Sequence, residues 1–144
     1  MTEPTDAAVP RSTSRLVWRT GLAVAVIALA VNLLIYVVAR AAGSPLATQM
    51  AGRFTVSIGV WQIIPVTVFV IAVATLLLWQ LRKRGRSIFA VLAYVGIGFA
   101  LVSLSGPLAL GATPGSKIGL ALMHLTSGVV WAFLLLRARR VLPA

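Results

Sequence analysis

Four long apolar runs separated by short polar segments set the pattern of the chain, at residues 20–39, 57–79, 88–105 and 118–136. A bilayer's hydrocarbon core, about 30 Å thick, takes about 20 helical residues to cross at roughly 1.5 Å each. Each run is long enough. None alternates apolar and polar positions as a membrane barrel strand would, and within lipid a helix satisfies its own backbone groups. The predicted fold class is therefore all-α, a polytopic membrane protein with a four-helix transmembrane bundle. Short connections predict antiparallel neighbours.

The polar segments predict the joins. Residues 1–19, with Pro4 and Pro10, read as a mostly disordered tail that turns basic at Arg11, Arg15 and Arg19. The first apolar run exceeds the roughly 7–15 residues of a signal-peptide core, and three more spans follow it, so a retained helix is expected. Residues 40–56 form a connector. Within it Ser44 as a cap and Pro45 in a first turn predict a short interfacial helix over residues 45–52. Pro65 removes a backbone donor inside the second span and predicts a kink at Ile64–Pro65. Gly96, Gly98 and Ala100 in the third span are small enough to admit a neighbouring helix. Gly106-Pro107 ends that span, residues 108–117 form a small loop, and residues 137–144 a basic tail. The membrane domain is thus residues 20–136.

Composition agrees with this pattern. Hydrophobic residues make up 60% of the 144 and charged residues 10%, with a mean hydropathy of +1.01. Soluble domains carry about 25% charged residues, so a soluble enzyme is excluded. The net charge of +11 comes from 13 Lys and Arg against 2 acids, Glu3 and Asp6. In a soluble protein such a balance would point to nucleic acid. Here the cations flank apolar runs, and the expected partner is the bilayer rather than nucleic acid. Arg11, Arg15, Arg19, Arg82, Lys83, Arg84, Arg86, Arg137, Arg139 and Arg140 fall on one side of a four-span topology, and only Arg40, Arg53 and Lys117 on the other. Positive loops stay inside, which predicts N-in/C-in topology in a bacterial plasma membrane, with both termini cytoplasmic. Arg82, Lys83, Arg84 and Arg86 form the densest basic cluster, read as a topology determinant that faces lipid headgroups.

The polar groups inside the spans are few. Asn32, Gln62 and His124, with Ser103 near the end of the third span and Ser127 in the fourth, are expected in one layer toward the non-cytoplasmic side. Two readings stand. In one, these side chains hydrogen-bond between helices because lipid offers no partner. In the other, they line an outward-facing polar pocket with His124 at its floor, since an ionisable group inside a membrane points to function. Leu120, His124, Ser127, Gly128, Trp131 and Leu135 follow helical spacing, so one face of the fourth span carries them, with a notch at Gly128 that a helix or a ligand would fill.

Much chemistry is missing. Cysteine is absent, one histidine is present, and no carboxylate side chain follows Asp6. Ser127 and His124 have no acid to orient them as a hydrolase would need, and a lone imidazole makes neither a metal site nor a bis-histidine haem. No cofactor is expected. The run Gly119-Leu120-Ala121-Leu122-Met123-His124-Leu125 with Gly128, after Gly106-Pro107, resembles the last helix of a family of small four-helix membrane proteins of unknown function from high-GC Gram-positive bacteria. The similarity spans roughly residues 16–138. It implies a four-helix bundle in a bacterial plasma membrane and assigns no residue a role. The expected function is that of a non-enzymatic packing or accessory protein, partnered by a second copy or a larger membrane complex. The alternative is a small-solute carrier or channel subunit built around Asn32, Gln62 and His124.

Overall fold

The computed structural model describes residues 11–50, 54–109 and 111–142. Residues 1–10, most of the segment expected as tail, and residues 51–53, 110 and 143–144 lie outside that set. Helices α1 (Arg11–Ala41), α2 (Val60–Leu81), α3 (Ser87–Ser103), α4 (Ser105–Ala109) and α5 (Pro114–Arg140) are joined by strands β1 (Ala47–Met50), β2 (Phe54–Ser57) and β3 (Gly111–Ala112). Four spans, α1, α2, α3 with α4, and α5, are long and apolar enough to cross a membrane.

The helices outrun the apolar runs that predict them. α1 starts at Arg11, so the segment from residue 11 to 19, expected as unstructured tail, is helical. α5 continues through Arg137, Arg139 and Arg140 rather than ending at residue 136. Hydropathy marks the hydrocarbon boundary, whereas the backbone ladder continues until a breaker, and no Pro or Gly interrupts residues 11–20 or 129–140. α2 remains one helix through Pro65. The third span breaks at Leu104 and resumes as α4, with Gly106-Pro107 inside the short helix rather than ending the span.

A second correction concerns the connectors. The helix expected over residues 45–52 is absent, and a β-hairpin occupies its place. Ala47 pairs with Ser57 and Met50 with Phe54, while β1 also pairs with β3 through Thr48–Ala112 and Gln49–Gly111. The sheet order is β2-β1-β3. Gly43, with φ of 78°, follows the end of α1 at Ala41, and Leu46, with φ of 45°, redirects the chain just before β1. The β-branched Thr48, Thr55 and Val56 then favour extended backbone. The sheet ties the α1–α2 connector to the α4–α5 connector at one end of the bundle, here the sheet end. The opposite end, where α1 begins, α5 ends and α2 turns into α3, is the basic end.

Packing follows a chain of neighbours, α2 on α1, α1 on α5 and α5 on α3, and α2 barely touches α3 despite the short Arg82–Arg84 turn between them. Val17, Thr20, Gly21, Val24, Ala28 and Asn32 form the buried stripe of α1 at helical spacing. Ile63, Thr67, Ile71, Thr75 and Leu78 form that of α2. The main core runs from Val17, Leu78, Phe89 and Leu135 at the basic end toward the middle. A smaller cluster of Leu46, Ile63, Leu120 and Met123 closes the sheet end. Large apolar side chains such as Val66, Phe69, Phe99 and Phe133 cover the exterior. Between helices in lipid there is no water to expel, so close approach and dispersion hold them together. α3 and α5 show this best. A Cβ on Gly128 would collide with that of Ala100, and one on Gly96 would overlap the Trp131 indole.

Candidate functional site

The expected polar residues separate into three groups. The first is a buried triad. Asn32 on α1 is 3% exposed, and its Nδ2 donates to Thr67 Oγ1 on α2 at 3.1 Å and to Ser127 Oγ on α5 at 3.2 Å. Ser127 passes its own proton to the Met123 carbonyl at 2.9 Å. Three helices are thereby joined in one layer. Asn32 Oδ1 is buried without a hydrogen-bond partner among the described residues. Thr67 is the member that polarity alone misses, because a hydroxyl in an apolar helix is a weak signal. Its spacing was informative: it falls on the Ile63–Ile71–Thr75 stripe, whereas Gln62 falls beside it.

Gln62 stands apart from both other groups. It is exposed near the start of α2, where its Oε1 accepts from the Gly59 backbone N–H at 2.9 Å and caps the helix. The polarity that marked it as a site residue serves the helix start.

His124 and Ser103 make the third group. Ser103 Oγ lies 3.1 Å from His124 Nδ1 and donates to the Ala100 carbonyl at 2.8 Å, so Nδ1 carries the hydrogen in this geometry. The pair joins α3 to α5 about one helical turn nearer the sheet end than the buried triad. His124 is exposed, while Leu120, Gly128, Trp131 and Leu135, which share its helical spacing, are buried. The imidazole therefore lies on the rim of the α5 stripe and opens to the exterior. The notch at Gly128 is filled by Ala100 of α3. The cleft at the basic end and the one beside the first connector are lined by none of Asn32, Gln62 and His124.

At the basic end the cluster of four cations also divides. The Arg82 guanidinium stacks over the Trp79 ring, 4.3 Å from its centroid, and its Nη1 donates to the Trp79 carbonyl. Lys83 and Arg84 are exposed on the turn. Arg86 turns away from them, toward α5, and lines a cleft of about 350 Å³ with Tyr94, Leu136, Arg139 and Arg140. At the sheet end Ser116, fully buried, is linked to Thr113 at 2.9 Å and to Ser44 at 3.3 Å, which fastens the start of α5 to the first connector.

Four apolar spans, a small sheet across one end and arginines at the other define a multi-pass membrane protein. Within that class the chain belongs to the DUF6069 family of unknown function, which it matches over residues 12–141. No curated protein and no solved structure matches it.

Proposed function

We propose that this chain is a non-enzymatic accessory protein of a bacterial plasma membrane, with both termini cytoplasmic, that packs against a second membrane protein through the outer edge of α3 and α5. The occupant is another copy of the chain or a helix of a larger complex. The observation that carries this reading is the exposed imidazole of His124. Its hydrogen bond to Ser103 uses Nδ1 and leaves Nε2 for a partner. Lipid offers no such partner, and an unpaired polar group in hydrocarbon costs several kcal/mol, about 2–7 by transfer measurements. A second protein helix would satisfy it. Phe99, Val102 and Phe133 give the same two helices large exposed apolar side chains. The absence of a carboxylate after Asp6 and of any cysteine supports a non-enzymatic role, since the hydrogen-bond partner of His124 among the described residues is a serine. The carrier reading needs Asn32, Gln62 and His124 around one pocket, whereas the accessory reading is favoured by their different partners: Thr67 and Ser127 for Asn32, the Gly59 backbone for Gln62 and Ser103 for His124.

The chain's lack of cysteine makes the test clean. Single-cysteine variants Phe99→Cys, one helical turn before Ser103, and, as a control on the far side of α2, Phe69→Cys are crosslinked in native membranes with His124 intact. Crosslinked product at residue 99 and none at residue 69 is the expected result. An equally empty outcome at both positions overturns the proposal. His124→Ala, read by crosslinking at Phe99→Cys, is expected to keep folded yield and lose the crosslink.

A further inference from the structure

We propose that the cleft between α3 and α5 at the basic end is a binding site for a phosphate group, held by Arg86, Arg139 and Arg140. This inference stands apart from the partner contact at His124, about three helical turns or more away along α5.

Three guanidinium-bearing side chains from two elements line one cleft of about 350 Å³, a volume within the range of small-ligand sites. Helix electrostatics accounts for two of them. Arg139 and Arg140 lie in the last turn of α5, where the negative end of the helix dipole favours cations. Arg86 has the opposite placement. It is the N-cap residue of α3, at the positive end of that helix, where an anion is favoured and a cation is not. Its side chain makes no N-cap hydrogen bond. An anion in the cleft would resolve the conflict, since it would face three guanidinium groups and the positive end of α3 together.

The spans themselves supply no anion for this cleft. Between Asp6 and the C-terminus no side chain is acidic. A guanidinium offers paired N–H donors matched to phosphate oxygens, and arginine rather than lysine supplies all three cations of the cleft. Tyr94 adds a phenolic donor, and its position on a membrane-spanning helix suits an interfacial headgroup. Leu136 supplies an apolar wall, and Val91 and Phe133, 53% and 63% exposed, continue the apolar surfaces of α3 and α5 beside it. A phosphate carried on acyl chains fits such a cleft, as basic pockets between membrane helices do for anionic lipids. A free phosphate offers the same oxygens to the same arginines.

The test uses full-length protein, purified and placed in nanodiscs of phosphatidylcholine with or without phosphatidylglycerol, with thermal stability and lipid retention as readouts. A parallel arm adds inorganic phosphate to the phosphatidylcholine sample. Arg86→Gln and the double change Arg139→Gln with Arg140→Gln remove cleft donors. Lys83→Gln with Arg84→Gln removes as much charge from the neighbouring turn. Loss of about tenfold in phosphatidylglycerol affinity for the cleft variants, with less than about twofold for the control, is expected. Arg86→Lys is expected to recover part of the loss. The same arginine dependence seen only with inorganic phosphate would uphold the site and assign it a soluble ligand. Equal losses in cleft and control variants, or no preference for either phosphate source over phosphatidylcholine alone, would overturn it.

Discussion

The indole N–H of Trp131 donates to the carbonyl of Leu92 across the α3–α5 contact at 2.9 Å, and it reaches that carbonyl because residue 96, one turn further along α3, has no Cβ. Gly96→Ala would set a methyl group into the indole, and Gly128→Ala would set one against Ala100. Each should destabilise the bundle by about 1–3 kcal/mol through overpacking. Gly98→Ala meets nothing within 4 Å and should be near neutral. Thermal unfolding of the three variants in one detergent ranks them. Equal effects at positions 96 and 98 would mean that helix propensity rather than the Trp131 contact governs the site.

The Asn32 triad should behave as a coupled unit. Asn32→Leu removes two interhelical hydrogen bonds, each worth about 0.6 kcal/mol, for a loss of roughly 1 kcal/mol. Thr67→Val in the same background should cost less than it does alone, because the hydroxyl it removes has already lost its donor. Gln62→Ala should cost about 0.5–1 kcal/mol as a lost helix cap and show no coupling to Asn32. A double-mutant cycle on folded fraction measures both terms.

Leu46 predicts an effect that its place in a connector would not suggest. It is fully buried, packs with Ile63, Leu120 and Met123, and holds a left-handed backbone angle that L-residues rarely adopt. Leu46→Ala should cost about 2–5 kcal/mol, as core truncations do. Leu34→Ala on the outer face of α1, where the side chain is 61% exposed, should cost well under 1 kcal/mol. Unfolding midpoints of the two proteins give the comparison.

Much of the membrane architecture was legible in the residues. Continuous apolar runs mark spans because lipid penalises charge at every turn, and Gly96, Ala100 and Gly128 mark a close contact because only small residues permit one. The hairpin was not legible. Thr48, Thr55 and Val56 are scattered β-formers, and β1 is completed by Gly111–Ala112, a pairing across about 60 residues that no local pattern encodes. The candidate site was legible in part. Asn32, Ser103, His124 and Ser127 do bond between helices, yet polarity alone could not say which face each occupies. His124 differs from Gly128 by one helical turn and still lies outside. Arg86 looked like one of four equivalent cations, and only the packing of α3 against α5 separates it from Lys83 and Arg84.

The most direct measurement of the whole account is cysteine accessibility in intact cells. Ala42→Cys, exposed near the sheet end, and Lys83→Cys, exposed at the basic end, are each treated with a membrane-impermeant maleimide before and after lysis. Four crossings with arginine-rich ends inside predict labelling of residue 42 in intact cells and of residue 83 only after lysis. Labelling of residue 83 in intact cells, or of both residues from the same side, would contradict it.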